Sequence, residues 1–128
     1  MGTLSEQDRL AVAAAYAAAS RANDAAAMLA LNASDAVTWH NFDEQHASPQ
    51  QTVRAMGWIH RTVPDITWTD IAVLATESGF VWQSLLQGTA PGGPLRVHSC
   101  VIATLKPDGT IARIEEYLDS AATVVLRG

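Results

Sequence analysis

The sequence predicts an α+β fold in which three N-terminal helices pack on a curved, mainly antiparallel sheet. Two observations predict it. The first 60 or so residues show helical spacing and helix caps, whereas the chain from Ile66 onward is rich in Val, Ile, Thr, Trp and Leu and is broken by turn sequences. Helices followed by a meander place the helices on one face of the sheet. With 128 residues, the chain is long enough for one core, so we expect residues 1–128 to form a single domain.

The first two helices are indicated by capping residues and by an alanine-rich segment. Thr3-x-x-Glu6 matches a capping box, and helical spacing continues from it to Arg21. Residues 23–24, an Asn-Asp pair, can cap a second and shorter helix, which turn-forming residues end near Asn32. The small alanine side chains allow these helices to pack closely.

A strand and a third helix follow. Residues 36–42 contain Val, Thr, Trp and Phe, which suit a strand that includes His40. In residues 48–51, a serine can cap, a proline fits the first helical turn and a glutamine can close a capping box. This pattern predicts a helix to about Arg61, ended by the proline and aspartate at 64–65.

Four further strands are predicted between three turn sequences, which lie at residues 77–79, 90–94 and 107–109. The last of these contains Asp108-Gly109, a strong hairpin signal between two apolar runs. The loop at residues 43–46 is expected at the rim of a pocket.

Charge and composition exclude several classes of partner. The chain has 8 Lys and Arg against 13 Asp and Glu, a formal charge of −5, and no basic cluster, so a nucleic acid would be repelled. The polar, acidic start does not resemble a signal peptide, and no apolar run reaches membrane-spanning length. We therefore expect a cytoplasmic protein that does not bind a membrane.

No metal or other cofactor is expected. Cys100 is the only cysteine, which excludes an internal disulfide framework and a zinc site built from several cysteines. The four histidines show no short ligand spacing such as HxxxH. Acid–base chemistry by side chains is a better fit than metal chemistry.

Several segments resemble one known family. Tyr16 followed by Asp24 and residues 34–41 (SDAVTWHN) resembles the opening of ketosteroid isomerase without a gap, and residues 114–119 (IEEYLD) resemble the ending of SnoaL-like and limonene-epoxide-hydrolase-like proteins. The chain thus resembles the nuclear transport factor 2-like superfamily, in its SnoaL-like polyketide cyclase branch. The resemblance implies a cone-shaped sheet with an internal pocket for a small hydrophobic ligand, and a homodimer formed through the sheet.

Carried over by position, the resemblance gives roles to individual residues. Tyr16 falls at the oxyanion-hole tyrosine of ketosteroid isomerase, and His40 falls where that enzyme has its catalytic aspartate. The isomerase's second oxyanion donor has no carboxylate counterpart within residues 96–101. The scytalone dehydratase branch has a histidine on the strand that corresponds to the one holding His98. His98 resembles that histidine when the alignment is shifted by one residue.

The likeness to limonene-epoxide hydrolase is incomplete. Glu116 falls at an essential aspartate of that enzyme, but Leu85 and Gln87 stand where it has an arginine and another aspartate. Epoxide hydrolysis is therefore ranked third, after an acid–base enzyme and a binding module.

His40 and Glu116 are the predicted catalytic pair. Imidazole titrates near neutrality, and a neighbouring carboxylate would fix its tautomer and raise its basicity. Tyr16 could donate its hydroxyl to a developing oxyanion. The alternatives are a core histidine bonded to the backbone and a core tyrosine that fills space.

Two strands offer further candidates, depending on which face points inward. His98 and Cys100 share one face, which the family comparison points at the cavity, although Cys100 also suits a small buried apolar position. Gln83 and Gln87 alternate on the preceding strand and could orient a polar substrate. The opposite phase of that strand would instead turn Trp82 and Ser84 inward, and periodicity does not choose between them.

The remaining candidates are indoles and one carboxylate. Trp39, Trp58 and Trp82 could wall a cavity for a flat or alicyclic ligand, or serve as core. Asp119 could border the pocket, or act as a solvated carboxylate or cap.

Together these residues predict a cofactor-independent acid–base enzyme of isomerase, cyclase or dehydratase type, acting on a small hydrophobic carbonyl or hydroxyl compound. His40 would be the base, Glu116 would orient it, Tyr16 would stabilise negative charge on oxygen and His98 could return the proton. The alternative is a ligand-binding or scaffold module of the same fold without chemistry.

Overall fold

Helices cover one face of a curved, six-stranded sheet that does not close into a barrel. The computed structural model describes residues 3–128, and within them no helix has the length and apolar character to cross a bilayer. The predicted α+β fold is confirmed. The elements in chain order are α1 (Glu6–Ala22), α2 (Ala25–Leu31), β1 (Asn32–His40), β2 (His46–Ala47), α3 (Pro49–Thr62), β3 (Thr67–Ala75), β4 (Gly79–Ala90), β5 (Gly93–Leu105), β6 (Ile111–Leu118) and a 3₁₀ helix (Ser120–Arg127).

Two of the helices begin at capping boxes. In α3 the predicted box is confirmed, because Ser48 Oγ accepts from Gln51 N at 3.1 Å and Gln51 Oε1 accepts from Ser48 N at 2.8 Å. The box at Thr3 is wrong by two residues, since Ser5 and Asp8 form the reciprocal pair at 3.0 Å each. Ser5 offers the same spacing and is a better N-cap than threonine.

The strand order is β2, β1, β6, β5, β4, β3. The three predicted hairpins give antiparallel pairs from β3 to β6. Pairing between β1 and β6 is parallel, and this brings the ends of two strands that are far apart in sequence side by side. The two-residue β2, the parallel pair and the 3₁₀ helix have no counterpart among the predicted elements.

The face of the sheet toward the helices, here called the inner face, is set by alternating buried side chains. On β4 these are Phe80, Trp82, Ser84 and Leu86, and on β5 they are Leu95, Val97, Ser99, Val101 and Ala103. One core cluster lies between the helices and the sheet, and includes Tyr16, Met28, Met56, Phe80, Trp82, Val101 and Ile114. A second lies partly under the 3₁₀ helix and includes Val63, Leu86, Leu95 and Val97. The opposite side of the sheet is called the outer face.

Candidate functional site

His40 and Glu116 meet at the ends of β1 and β6, where they are direct partners in the parallel pair. The Nε2 atom of His40 lies 3.2 Å from Oε1 of Glu116. Their side chains are 22% and 21% exposed, so the pair is partly shielded yet can be reached from solvent. The two residues that the sequence analysis paired are therefore within hydrogen-bond reach of each other.

The pKa of His40 is raised above its usual value. The hydrogen bond to Glu116 is the largest cause, and it outweighs partial burial, which acts in the opposite direction. Charge attraction from Glu116 and Asp43 adds to the increase. The imidazole therefore holds a proton more strongly than a free histidine, and its conjugate acid is stabilised beside a carboxylate.

Ser99 holds the other oxygen of Glu116. Its hydroxyl donates a hydrogen bond of 2.6 Å to Glu116 Oε2 from a buried position on the inner face. This distance is typical of a hydroxyl bonded to an ionised carboxylate. Because Oε1 faces His40 and Oε2 accepts from Ser99, the Glu116 carboxylate is fixed from both sides.

Asn41 joins β1 and β6 immediately beyond the pair. Its side-chain amide donates to Leu118 O at 3.1 Å, and its side-chain oxygen accepts from Leu118 N at 2.9 Å. The Asn41 backbone N–H also donates to Glu116 O at 3.1 Å. These three bonds keep the backbones in register where His40 must meet Glu116.

Tyr16 lies on α1 against the inner face of the sheet. Its ring centroid is 6.1 Å from that of Phe80 and 5.8 Å from that of Trp82, in an edge-on arrangement with the latter. Burial is the main cause that raises the pKa of Tyr16, and the negative charge of Glu116 raises it further. The phenol therefore stays protonated and able to donate at any ordinary pH, on the same side of the sheet as Glu116.

His98 and Cys100 do not lie on the strand face that the family comparison assigned to them, and of the two phases left open for β4 the structure has the one that turns Trp82 and Ser84 inward and leaves Gln83 and Gln87 outward. All four lie on the outer face, where Leu85 opposes His98 and Gln83 opposes Cys100. The physical reason is that the apolar residues of β4 and β5 occupy the alternate positions and are buried under the helices.

These outer-face residues border a depression of their own. The cavity has a volume of about 360 Å³ and is shallow, and its lining residues are Ile71, Gln83, Ser84, His98, Ser99, Cys100 and Tyr117. It lies across the sheet from His40 and Glu116.

The tryptophan side chains are also found on different faces of the sheet. Trp82 is buried on the inner face, and its Nε1 donates to Asp70 Oδ1 at 2.7 Å. Trp39 lies on the outer face with its ring 5.4 Å from that of Tyr117, and Trp58 is exposed on α3.

Asp119 Oδ1 accepts from Ala121 N at 2.9 Å and so caps the 3₁₀ helix. The cap is thus the observed role of that carboxylate.

Sequence reasoning passed over Ser99 and Asn41. A signal for Ser99 was present, because it stands between Val97 and Val101 in an alternating apolar series that favours an inward phase. No local sequence signal indicates the role of Asn41, since its partner Leu118 lies 77 residues away on β6, which pairs in parallel with β1.

Chemically, the inner face presents a histidine with a carboxylate partner and a protonated phenol. This set can remove a proton, hold the resulting charge and donate to an oxygen. Within residues 3–128, no three His, Cys, Asp or Glu side chains come together as a metal site would require.

Solved structures similar to this one cover nearly all of the chain. PrhC from Penicillium brasilianum NBRC 6234 has a TM-score of 0.83 at 17% identity, with 94% of this chain and 86% of PrhC covered. BvnE pinacolase from Penicillium brevicompactum has a TM-score of 0.78 at 14% identity, with 92% and 90% covered. A protein described as a SnoaL-like polyketide cyclase, from Jannaschia sp. CCS1, has a TM-score of 0.79 at 14% identity, with 100% and 99% covered.

At these identities the structural likeness establishes the fold alone. A comparison with curated proteins finds no significant match. The SnoaL-like domain family, however, matches residues 12–114, which include Tyr16, His40, the strands from β1 to β5 and the first half of β6. The chain belongs to the SnoaL-like domain family.

Proposed function

We propose that this protein is a cofactor-independent enzyme that moves a proton on a small hydrophobic compound bearing a carbonyl or hydroxyl group. The observation that carries the proposal is the hydrogen bond between His40 and Glu116, in a position that solvent reaches. A purely structural histidine would more often be bonded to backbone and closed off from solvent. His60 provides the contrast in bonding partner, since its Nε2 lies 2.8 Å from the backbone oxygen of Ser20.

The geometry suggests which nitrogen of His40 acts as the base. If Nε2 carries the hydrogen that faces Glu116, Nδ1 keeps its lone pair and can take a proton from a carbon next to a carbonyl. The electrons left on that carbon move to the carbonyl oxygen, where the Tyr16 hydroxyl would donate a hydrogen bond. His40 then returns the proton to another atom of the substrate, and isomerisation, cyclisation or dehydration follows according to the substrate.

The relatives support this class of function without naming the reaction. A pinacolase shares the fold, as does a protein described as a polyketide cyclase. Both names describe reactions on small organic molecules, and neither identifies the substrate of this chain.

Proton exchange provides a test that does not depend on which product the enzyme forms. Wild-type protein would be incubated in D₂O with 2-tetralone, 2-decalone and 3-methylcyclohexenone, and deuterium incorporation beside the carbonyl would be followed by NMR. We expect at least one ketone to exchange faster than in buffer, and His40→Gln to reduce the enzymatic rate by roughly 10²–10⁴-fold.

His98→Gln is the matched control, because it removes a histidine from the outer face of the same sheet. Its exchange rate should equal that of the wild type. Equal rates for His40→Gln and wild type, or no acceleration with any of the three ketones, would contradict the proposal and favour a binding module of the same fold.

We also propose that two copies of the chain associate through the outer face of the sheet. Large apolar side chains are exposed there toward both edges of the sheet, with Ile71 at 54% and Leu74 at 57% on β3, and Tyr117 on β6, whose ring packs against Trp39 on β1. Large exposed apolar side chains on one face of a protein mark a surface that another protein covers. A second copy would present the same patch, as a two-fold symmetric interface requires.

Sedimentation velocity tests this association. The wild type should sediment as a dimer, whereas the double substitution Ile71→Lys with Leu74→Lys should give a monomer. Val124→Lys is the control, because Val124 is even more exposed, at 68%, but lies on the 3₁₀ helix. A monomeric wild type, or a dimer that survives the double substitution, would rule the interface out.

A further inference from the structure

Phe42 lies against the imidazole ring of His40. The two ring centroids are 5.0 Å apart, and the ring planes are tilted by 40°. Phe42 is nevertheless 49% exposed, so the protein itself covers only about half of this side chain. The candidate base therefore has a half-exposed aromatic ring as its immediate neighbour, at the end of the sheet where solvent reaches His40.

The segment that carries Phe42 is anchored on both sides of it. This segment, residues 41–45, is called the rim loop. Before Phe42, Asn41 is bonded to the backbone of β6 by its side chain and by its N–H group. After Phe42, the backbone N–H of Glu44 donates to His40 O at 2.9 Å. These bonds hold the backbone at Phe42, and so they keep its ring beside His40.

A ligand that reacts at His40 comes within reach of Phe42. In a productive complex, the reacting carbon lies about 3–3.5 Å from a ring nitrogen of His40. Because the Phe42 centroid is only 5.0 Å from that of the imidazole, a ring-sized substituent on the reacting carbon spans the distance to Phe42. An apolar substituent would cover surface of Phe42 that is exposed in the free protein, and its burial favours binding.

The charged groups at this position are carboxylates. Glu116 is bonded to the imidazole, and Asp43 on the rim loop is close enough for its charge to act on His40. A negative charge on the ligand beside the reacting carbon would be repelled by both groups, whereas an uncharged ligand would not. The surroundings of His40 therefore combine an apolar contact with a negative electrostatic potential.

We propose that the rim loop selects the ligand, in that Phe42 contacts an apolar group on the reacting carbon and Asp43 disfavours a negative charge near that carbon. The substrate class is therefore an uncharged carbonyl compound whose reacting carbon carries an alkyl or aryl group. Phe42 is a specificity-determining residue, and Asp43 acts on the ligand through its charge. This inference rests on the proposed function, because it takes His40 as the base.

Labelled phenylalanine gives a test of the contact that needs no turnover. The chain has two phenylalanines, Phe42 and Phe80, and Phe80 is buried in the core. Protein with ¹³C-labelled phenylalanine rings would be titrated with phenylacetone, whose reacting carbon carries a phenyl group, and Phe42→Leu would assign the signals. We expect intermolecular NOEs from the ligand to the Phe42 ring and none to Phe80. No binding of phenylacetone, or binding without an NOE to Phe42, would overturn the inference.

Deuterium exchange tests the selection itself. At the CH₂ group beside the carbonyl, phenylacetone carries a phenyl group and butanone a methyl group. Phe42→Ala should lower kcat/KM for exchange of phenylacetone by roughly 3- to 10-fold, and that of butanone by less than about 2-fold. The different acidities of the two ketones cancel, because each ketone is compared with itself in the wild type. Phe42→Leu should give an intermediate loss, since leucine keeps part of the apolar surface.

Trp58→Ala is the matched control for Phe42→Ala. The Trp58 side chain is exposed to nearly the same extent, 46%, but it lies on the solvent side of α3 with Arg54 and Arg61. This variant should exchange both ketones at the wild-type rate. Equal losses for the two ketones in Phe42→Ala would show a general packing role at His40 and would overturn selection by Phe42.

Asp43→Asn tests the contribution of charge. Levulinate is an anion at pH 7, whereas methyl levulinate is neutral, and the asparagine oxygen can still accept from Gln45 N as Asp43 does. The exchange rate of levulinate relative to its ester should rise by roughly 2- to 4-fold. A change in the basicity of His40 affects both compounds equally and cancels in this ratio.

Asp108→Asn is the control for charge, because Asp108 lies in the turn before β6, at the opposite end of that strand from Glu116. It should leave the ratio unchanged. An unchanged ratio in Asp43→Asn as well would overturn the role of Asp43.

Ligand selection and proton transfer can fail separately. Ligand NOEs at Phe42 without deuterium exchange would keep the contact and remove the chemistry. Exchange that depends on His40, with no preferential loss of phenylacetone in Phe42→Ala, would keep the chemistry and remove the selection.

Discussion

The hydroxyl of Ser99 donates a 2.6 Å hydrogen bond to the oxygen of Glu116 that does not face His40. This bond makes Ser99 a positioning residue, since it acts on the imidazole only through the carboxylate. It also holds the carboxyl group of Glu116 in the orientation that faces His40.

Ser99→Ala should lower the free energy of unfolding at pH 7 by about 1–2 kcal/mol, because a partly buried carboxylate loses a donor. Chemical denaturation would measure the change. In the exchange assay kcat should fall with little change in KM, and Ser99→Thr should restore part of the rate by returning a hydroxyl. If the alanine variant is as stable and as active as the wild type, Ser99 has no role in positioning Glu116.

Stability should depend on pH through His40. Its pKa in the folded state is raised, so the contribution is fully present below the unfolded-state pKa of about 6.5 and is lost as pH rises through the folded-state pKa. The stability advantage of wild type over His40→Gln should therefore be larger at about pH 5.5 than at about pH 8.5. Denaturation of both proteins at the two pH values measures it, and an advantage that grows with pH would contradict the assignment.

The pH profile of the reaction should respond to Glu116. A base must be unprotonated, so kcat/KM should rise with pH through the raised pKa of His40. Glu116→Gln removes the carboxylate that is the main cause of the increase, and the rising limb should move to lower pH while the maximal rate falls. An unmoved limb in this variant would mean that another group controls the rate.

Asn41→Ala should loosen the contact between β1 and β6 without touching the ligand. It removes two hydrogen bonds to the Leu118 backbone, and we expect a loss of about 1–2 kcal/mol in stability and a fall in kcat. Asn41→Asp keeps the acceptor and loses the donor, so its effects should be intermediate. The ¹⁵N signals of His40 would report directly whether its contact with Glu116 has changed.

Gly79 should not tolerate a side chain. A Cβ atom there would overlap the carbonyl group of Ala103 on β5, lying 2.8 Å from the carbonyl carbon. Because that obstacle is backbone, Gly79→Ala should destabilise the protein by about 3 kcal/mol. In Gly57→Ala on α3 the only close contact of the new Cβ atom is with the flexible end of Arg61, and Asn23 Oδ1 is at an ordinary 4.0 Å, so the change should be neutral or stabilising because alanine favours helix. Thermal unfolding would measure both variants, with a lower Tm expected for Gly79→Ala and an unchanged or higher Tm for Gly57→Ala.

The helices and hairpins could be predicted from the sequence because their determinants are local. Ser48 and Gln51 are three residues apart, and Asp108-Gly109 forms a turn by itself. The first capping box was predicted at the wrong residue for a similarly local reason. Thr3 with Glu6 and Ser5 with Asp8 have the same spacing and overlap in one short segment.

Strand faces were harder to predict because they depend on what covers the sheet. A family alignment assigns His98 to the interior, while its neighbours Val97 and Ser99 are the buried residues. The pairing of His40 with Glu116 was expected from family positions. Its physical basis is the parallel contact of β1 with β6, which no local pattern of residues indicates.

That parallel contact also has a consequence for folding order. The meander from β3 to β6 can assemble through short hairpins, whereas Asn41 and Leu118 close a loop of 77 residues. Long closures cost more chain entropy and slow the contacts that depend on them. In a refolding chain, the circular dichroism of the sheet should recover before the environment of His40 does. Recovery of the site would then be the stricter measure that the whole chain has reached its native state.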